Sequence, residues 1–403
     1  MITKIFIRAL LLTAVIMAAP SPGFANATEE PNVGAKPDVA TPALAPRPAV
    51  LDDIRSLFAL QDLVAAGHQE AAQLQKSLLA QINGKINEEI LKSQPNLLAP
   101  VITGYVLSGG NPRIAEMLAE IEGLEPRYRP LLKAAAFYTR GNREEAESEF
   151  AKIDAFPLSP QIEGRVALAR AMVVAGNEFD KQRFLTIAIA AMPGSLIEES
   201  ALRRSALAYA EAGNQKAFWL RSERYVRRFP QSLYAREFMH ELLTRIVTFE
   251  SGGKKADLPR LDRILGTVGV TMRRPLYLDL ARQAALKNLA PLTAFGARRL
   301  RRVSSPGSSE SELANLYDSL FEVASERSEH SLKNLEAIDP GRLPSLERDL
   351  LVASIAVARL IHDPIPETAS MPDVETRKLE KSGLEKRVER ILALSDELMR
   401  ETQ

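Results

Sequence analysis

Apolar residues recur at spacings of three and four along the chain from about Leu51 onward, and short breaks containing glycine or proline separate the runs. This spacing places apolar side chains on one face of a helix. In the first run Leu57, Leu60 and Val64 share a face, and Gly67 ends the helix. The same pattern predicts later helical segments at residues 98–107, 258–302, 310–335, 342–361 and 376–399. We therefore predict an all-α chain.

A short phrase recurs in the middle of the chain, between residues 131 and 238. Its first copy, A-x-x-Y-x-x-G-N, contains Tyr138 and ends at Gly141-Asn142, and later copies end at Gly176-Asn177 and Gly213-Asn214. The glycines are 35 and then 37 residues apart, a period close to that of tetratricopeptide repeats. Each copy predicts a helix that ends at a glycine in the left-handed conformation and then restarts.

These repeats predict a right-handed α-solenoid of tetratricopeptide-like helical hairpins with C-terminal capping helices. The earlier breaks at Gly67 and Gly110 indicate that degenerate repeats begin near residue 51. Ser195 is predicted to cap a helix, with Glu198 as its capping-box partner. The segment 376–399 carries an apolar stripe, which suits a terminal cap of the stack or a helix that binds a groove or a coiled-coil partner. The stripe consists of Leu384, Val388, Ile391, Leu392, Ser395 and Leu398.

The first 25 residues have the pattern of a secretory signal peptide. Lys4 and Arg8 precede an apolar run from Ala9 to Ala19, and small residues suited to cleavage follow at Ala25 and Ala27. The run is shorter than the roughly 20 residues that span a bilayer, so a cleaved signal is favoured over an uncleaved anchor. We expect no stable membrane insertion after cleavage.

The predicted domain organisation follows from these segments. Residues 1–25 form the signal peptide, 26–50 a Pro/Ala-rich disordered tether, 51–303 the degenerate helical-repeat solenoid, and 304–403 C-terminal helices that continue or cap it. Proline fixes φ and lacks a backbone donor, so the tether is expected to be extended or disordered. It is either a leader without a role or a segment that reaches toward the cell wall or a partner.

Composition and charge limit the cellular compartment and the classes of partner that we expect. The 403 residues carry a formal charge of +1 and no cysteine. Removing residues 1–25 removes Lys4 and Arg8 and no acidic residue, so the mature charge is −1. A near-neutral chain is not expected to bind nucleic acid or an anionic membrane as its main partner. Secretion predicts a periplasmic location, and without cysteine the chain must be stabilised by packing alone.

Signatures of catalysis are weak. His240-Glu241 begins like the zinc motif H-E-x-x-H, but Thr244 occupies the second histidine position. Cysteine nucleophiles are excluded by composition, and the chain has no G-x-S-x-G, no G-x-G-x-x-G and no phosphate-binding loop. We predict a protein that is not an enzyme and that needs no cofactor or metal. The spacing of acidic residues does not rule out a glycosidase that uses two carboxylates, because those two acids need not be close in sequence.

Three surfaces are candidates for binding a partner, and each also has a simpler explanation. A groove formed by residues 131–238 would expose tyrosines, although tyrosine at this repeat position is commonly a packing residue. A basic, aromatic helix surrounds Tyr225, although such a face is often only solvated. A dense arginine cluster ends the helix near residue 302, where cations suit the helix dipole. The candidate residues are Tyr138, Tyr209, Arg224, Arg227, Arg298 and Arg301.

Several phrases together resemble one protein family. They are L-Q-D-L-V-A-A-G at 60–67, G-G-N-P-R at 109–113, E-E-S-A-L-R-R at 198–204 and Y-V-R-R-F-P-Q-S-L-Y-A at 225–235. They resemble the MotC family, the periplasmic motility proteins of rhizobial flagellar motors, over residues 51 to about 300. The resemblance implies a periplasmic partner of the stator protein MotB that is required for rotation, without a cofactor. It supplies no binding residues for transfer.

We therefore expect a periplasmic flagellar motor protein that binds and stabilises or orients the periplasmic part of MotB, close to the peptidoglycan. The first alternative is a tetratricopeptide-like adaptor of another cell-envelope assembly. The second is a lytic enzyme that acts on peptidoglycan and is built on a helical superhelix.

Overall fold

The computed structural model describes residues 48–153, 157–323, 325 and 327–362. All regular structure in these ranges is helical, with 18 α-helices, one 3₁₀-helix and no strand, so the prediction of an all-α chain is confirmed there. None of the described helices is long and apolar enough to cross a bilayer. The predicted signal peptide, all but the last residues of the predicted tether, and the segment 376–399 lie outside the described residues.

The helices follow one another with short connections. They are α1 (Val50–Ala66), α2 (Gln69–Lys85), α3 (Glu88–Ser93), α4 (Pro95–Leu107), α5 (Pro112–Ala119), α6 (Tyr128–Arg140), α7 (Arg143–Ala151), α8 (Pro160–Val173), α9 (Glu178–Ala191), α10 (Leu196–Glu211), α11 (Gln215–Arg228), α12 (Ala235–Ser251), α13 (Leu258–Gly266), α14 (Val270–Leu286), α15 (Ala290–Val303), α16 (Ser309–Ser319), α17 (Ser328–Glu336), the 3₁₀-helix η1 (Pro340–Arg342) and α18 (Ser345–His362).

The Gly-Asn turns are where the repeat predicted them. Gly141 ends α6 at φ +84°, and Gly213 follows α10 at φ +69°. In the looser second copy α8 ends three residues before Gly176, which lies in the loop at φ +66°. Asn177 and Asn214 then accept backbone N–H groups in the first turns of α9 and α11, so they act as N-caps. These turns join helices that pack against each other as pairs: α6 with α7, α8 with α9, and α10 with α11.

Four apolar cores succeed one another along the chain. The first joins α1–α6, a second joins α6–α8, the largest extends from α8 to α16, and the last joins α14–α18. Neighbouring pairs share these cores because α9 packs on α10 and α12 packs on α14. The buried apolar side chains are therefore distributed among successive cores along the chain and do not form one central core.

The first helix also packs on the middle of the chain, which the repeat pattern did not predict. An ideal helical array brings only neighbouring repeats into contact. Here Ala65 of α1 belongs to the large central core, and α1 packs directly on α10. The backbone N–H of Leu233, in the α11–α12 turn, donates to the carbonyl of Val64 at 3.4 Å. Residues 64–67 thereby meet a turn that follows them by more than 160 positions.

The segment predicted as a single helix from Glu310 to Leu335 is two helices, α16 and α17. Between them the Ser325 hydroxyl donates to the carbonyl of Glu322 at 2.8 Å and accepts from the Arg327 N–H at 3.1 Å. A serine that bonds to nearby backbone in this way competes with the helical ladder. Helical periodicity continues across the break, which is why the pattern did not show it.

The α1–α2 turn gives a direct test of this long-range packing. Gly67 has φ +100°, and a Cβ there would overlap the carbonyl oxygen of Gln231. Gly141 has a similar φ of +84°, but nothing lies within 4 Å of its added Cβ. We expect Gly141→Ala to destabilise the fold by about 1–2 kcal/mol through backbone strain alone. Gly67→Ala should cost about 3 kcal/mol or more, because overlap with Gln231 adds to the strain.

The free energy of unfolding of both variants would be measured by urea titration with far-UV circular dichroism. The comparison isolates the contact with the α11–α12 turn, since both substitutions are Gly→Ala at left-handed helix ends. Equal losses for the two variants would show that this turn does not constrain residue 67 in solution.

Candidate partner-binding cleft

A cleft of about 380 Å³ lies where α1 and the end of α4 meet α10 and the start of α12. We call it the junction cleft. Leu107, Leu168 and Leu196 are among its apolar lining residues. Its polar lining residues include Gln61, Ser108, Glu199, Arg203, Arg204, Tyr234 and Glu237. The cleft exists only because the first helix returns to the middle of the chain.

A buried arginine on α8 holds two of the lining residues, Gln61 and Ser108, in place from behind the cleft surface. Arg165 is only 3% exposed. Its guanidinium donates to Gln61 Oε1 at 3.0 Å and to Ser108 Oγ at 3.2 Å, and lies 3.7 Å from the ring centroid of Phe58. Burial lowers the pKa of Arg165 to about 10, so the group is still charged at neutral pH. One side chain thus connects α8 with α1 and with the end of α4.

A carboxylate on α1 also contacts the first residue of α10. Asp62 Oδ1 accepts the backbone N–H of Leu196, the first residue of α10, at 3.0 Å. Burial raises the pKa of Asp62, and the opposing effects of this hydrogen bond and of Arg165 are smaller. An acidic group at a helix N-terminus also meets the positive end of the helix dipole. Asp62 therefore fixes where α10 begins relative to α1.

The N-terminus of α10 carries two fully buried acids, Glu198 and Glu199. Ser195 caps α10 as predicted, because its Oγ accepts the N–H groups of Ile197 and Glu198. The reciprocal half of the predicted capping box is not formed, because the N–H of Ser195 donates to the carbonyl of Met192. The Glu198 carboxylate binds the backbone N–H of Gly194 at 2.7 Å. Its two oxygens are otherwise paired with Arg224 at 2.9 Å and Arg228 at 2.8 Å, both on α11.

Glu199 is satisfied on one oxygen only. Its Oε1 accepts from Tyr225 Oη at 2.7 Å, and more weakly from Ser232 Oγ and Arg203 Nε at 3.4 Å. Burial, followed by the charge of Glu199, raises the pKa of Tyr225, so its hydroxyl stays protonated and donates. The buried Oε2 has no hydrogen-bond partner within the described part of the chain. A buried acceptor without a partner is costly, so this oxygen reduces the net stability that the contacts of Glu199 provide. Because Glu199 is fully buried, the oxygen is not open to a partner at the cleft surface.

The cleft rim combines both charges with an aromatic ring. The guanidinium of Arg203 lies 4.9 Å from the ring centroid of Tyr234, close enough for a cation–π contact. Glu237 is exposed one turn further along α12. Aromatic and arginine side chains at the edge of a partly apolar cleft are typical of protein-binding surfaces. The arrangement suits a polypeptide segment that carries at least one basic side chain.

The six sequence-predicted binding residues do not form one site, and none of them lines the junction cleft. Tyr138 and Tyr209 are half-buried and pack against two different cores, as their simpler explanation expected. Arg224 is paired with Glu198. Their role in binding stays a prediction.

The remaining three predicted residues are arginines on the surface. Arg227 is exposed on α11. The pKa of Glu223 is lowered mainly by its hydrogen bond from Arg260, and the charge of Arg227 adds a small further lowering. Arg298 and Arg301 on α15 share one carboxylate, that of Asp318, at 3.0 and 3.1 Å. The basic surface is therefore partly neutralised within the chain, and its role in binding stays a prediction.

Sequence reasoning missed the residues that line the cleft. Glu198 was predicted only as the capping-box partner of Ser195 and Glu199 appeared only in a family-like phrase, and nothing near them in sequence indicates that α11 covers them. Arg224 and Arg228, one turn apart on α11, give the available signal for Glu198, because both pair with its carboxylate. They give none for Glu199. For Gln61 and Ser108 no local signal exists, because their partner Arg165 is distant in sequence.

The described residues therefore define an all-helical protein of paired helices with a polar cleft where its first helix meets its middle. A family model described as "Chemotaxis protein MotC" matches residues 2–400, and the chain belongs to this family. The chain is 29% identical to Chemotaxis protein MotC of Rhizobium meliloti (strain 1021) over 346 residues, which cover 82% of this chain and 77% of that protein. No solved structure matches.

Family membership confirms the resemblance found in the sequence and assigns the chain a motility-related role. The family is one of motility proteins and not of enzymes. Among the described residues no group of three or more histidines, aspartates or glutamates is placed to hold a metal ion.

The hydroxyl of Tyr225 provides a test of the cleft wall. Tyr225→Phe leaves Glu199 with only its two weak contacts, so we expect a loss of about 1–3 kcal/mol in the free energy of unfolding. Tyr209→Phe is the matched control, because within the described chain the Tyr209 hydroxyl has no hydrogen-bond partner. It should change stability by less than about 0.5 kcal/mol. Urea denaturation measures both, and equal effects would contradict the role assigned to the Tyr225–Glu199 contact.

Proposed function

We propose that this chain is a periplasmic protein of the flagellar motor that binds the periplasmic part of the stator protein MotB and supports rotation. Membership in the MotC family supports the motor role. The charged n-region and apolar run of residues 1–25 support export. We further propose that the helix pairs stack as a right-handed solenoid, with α1 folded back onto α10.

The junction cleft is the observation that carries the proposal of a protein partner. It brings the guanidinium of Arg203, the ring of Tyr234 and the exposed carboxylate of Glu237 together on one concave surface. Small-molecule sites are usually enclosed and mostly apolar, whereas this cleft is open and carries both charges. An extended or helical segment of MotB would place a basic side chain near Glu237 and an acidic one near Arg203 and Arg204.

Such binding acts on the motor by mass action. If one conformation of the stator exposes the cleft-binding segment and another hides it, this chain stabilises the first in proportion to its difference in affinity. A stator held in that conformation would generate torque more often. The cleft draws most of its lining from the segment 131–238 and the rest from Gln61, Leu107 and Ser108, but it is not the tyrosine-lined groove predicted from the sequence, because Tyr138 and Tyr209 do not line it.

Charge reversal at the rim tests the cleft in vitro. Glu237→Lys lies on the exposed rim, so it should leave the fold intact while repelling a basic side chain of the partner. We expect about tenfold or greater loss of affinity for a purified periplasmic fragment of MotB, as measured by isothermal titration calorimetry. Glu241→Lys is the control, since Glu241 is exposed one turn further along α12 and does not line the cleft.

The two parts of the proposal fail differently. If the unmodified chain does not bind the MotB fragment, the partner is wrong. If it binds and both variants bind equally well, the partner is right and the cleft is wrong.

A complementation experiment tests the role in rotation. Cells that lack the gene should assemble filaments but not swim, and the unmodified gene should restore swimming. Glu237→Lys should restore it poorly and Glu241→Lys fully. Cells without filaments would contradict a role in rotation and favour an adaptor for envelope assembly.

A further inference from the structure

A second polar pocket lies beyond the junction cleft, where α8 and α10 meet the first turns of α7 and α9. Its volume is about 220 Å³. Its apolar lining residues are Ala171, Met172, Val174, Leu207 and Ala208. Its charged lining residues are Arg143, Lys181, Arg204 and Glu211. We call it the basic pocket, because three of these four charged residues are cations.

The three cations of the basic pocket have no acidic partner within the described part of the chain. Arg143 donates to the carbonyl of Met172 at 2.9 Å. Arg204 donates to Ser200 Oγ at 3.3 Å and to the sulfur of Met172 at 3.0 Å. The ammonium of Lys181, which is half-buried, has no partner among the described residues. Neutral acceptors therefore hold the two guanidinium groups in place without compensating their charge.

The one acid of the basic pocket does not balance these cations. Glu211 already pairs with Arg245 of α12 at 3.1 Å. The C-terminus of α8 carries only about half a negative charge, and Arg143 already bonds to one of its carbonyls. Like charges repel each other, so a group of three cations opposes folding unless an anion joins it. The composition of the pocket therefore indicates a site for a negatively charged group.

A carboxylate fits the donors of the basic pocket. A guanidinium carries five N–H donors in a planar fork that matches the two oxygens of a carboxylate. Arg143 uses one of its donors within the described fold and Arg204 uses two, so each keeps donors for a ligand. The apolar lining residues exclude part of the surrounding water, and an ion pair is stronger where water is excluded.

The basic pocket continues the junction cleft along the same two helices. Arg204 lines both of them. On α8 the lining advances from Leu168 in the cleft to Met172 in the pocket, and on α10 it advances from Ser200 to Ala208. Eight residues of helix rise about 12 Å, a distance that an extended peptide covers in about four residues. One short polypeptide segment can therefore occupy the cleft and the pocket together.

We propose that the basic pocket binds the carboxylate of an acidic side chain on the polypeptide segment that occupies the junction cleft. In an extended segment this acidic residue lies about four positions beyond the residues that fill the cleft. The inference rests on the proposed binding of a polypeptide in the junction cleft, but not on which protein supplies it. Continuity with the cleft favours an acidic side chain over a free anion such as phosphate.

A fluorescein-labelled hexaglutamate peptide tests the basic pocket by fluorescence anisotropy with the full chain at low ionic strength. We expect binding that weakens as salt is added. Lys181→Glu should weaken it about tenfold or more, because the new carboxylate repels the peptide and competes for Arg143 and Arg204. Lys216→Glu is the matched control with the same change in net charge. Lys216 is exposed on α11 and does not line the pocket, so we expect less than about a threefold effect.

Both variants should fold, because neither lysine side chain has a partner within the described chain. Urea unfolding of each variant checks this. Absence of peptide binding to the unmodified chain, or an equal loss in the two variants, would overturn the proposal. Displacement of the peptide by an equal concentration of inorganic phosphate would assign the pocket to a free anion and would also overturn it.

Titration of the same variants with the periplasmic MotB fragment separates this inference from the proposed function. If the peptide binds through Lys181 but the unmodified chain does not bind the fragment, the proposed partner is wrong and the carboxylate site stands. If the fragment binds and Lys181→Glu binds it as tightly as Lys216→Glu does, the partner does not use the basic pocket and the inference is wrong. A selective loss in Lys181→Glu supports both.

Discussion

The buried guanidinium of Arg165 is the constraint on which the middle of the molecule depends. Removing a charge from water costs several kcal/mol unless its donors are matched. Here the matching groups come from Phe58 and Gln61 of α1 and from Ser108 after α4. Arg165 is therefore satisfied only when the first helix has returned to α8. The Asp62 contact at the start of α10 reinforces this arrangement, so the closure of α1 on the middle of the chain is expected to form as a unit.

The same reasoning explains why the candidate site lies at this junction. Glu198 is fully paired with Arg224, Arg228 and a backbone N–H, so it serves the fold. Its neighbour Glu199 keeps one buried oxygen without a partner, and the cleft beside it exists only because α1 has closed on α10. Two adjacent acids of identical type thus have different surroundings, one fully paired and the other with one unpaired oxygen. The connection also means that a variant which loosens α1 would be expected to weaken binding even when it does not touch the cleft.

Local predictions were confirmed where a few neighbouring residues decide the conformation. The left-handed glycines at 67, 141 and 213 and the cap at Ser195 are examples, as is the helical character of the described chain. The single helix predicted over residues 310–335 was wrong, because Ser325 breaks it without interrupting the apolar spacing. The basic cluster at Arg298 and Arg301 was placed correctly near a helix C-terminus, but its pairing with Asp318 could not be predicted from α15 alone.

The sequence by itself determined the helices, the glycine turns between them and the resemblance to a family that the whole-chain match confirms. These features depend on side-chain spacing, on φ at single residues and on continuous phrases, all of which act over a few positions. Only the tertiary structure decided that α1 meets α10, that Glu199 is left half-satisfied and that a cleft opens between them. Such contacts join residues as far apart as Asp62 and Leu196, 134 positions along the chain. No local pattern predicts these contacts, because the residues around each partner in sequence give no information about the distant residue that it contacts in the fold.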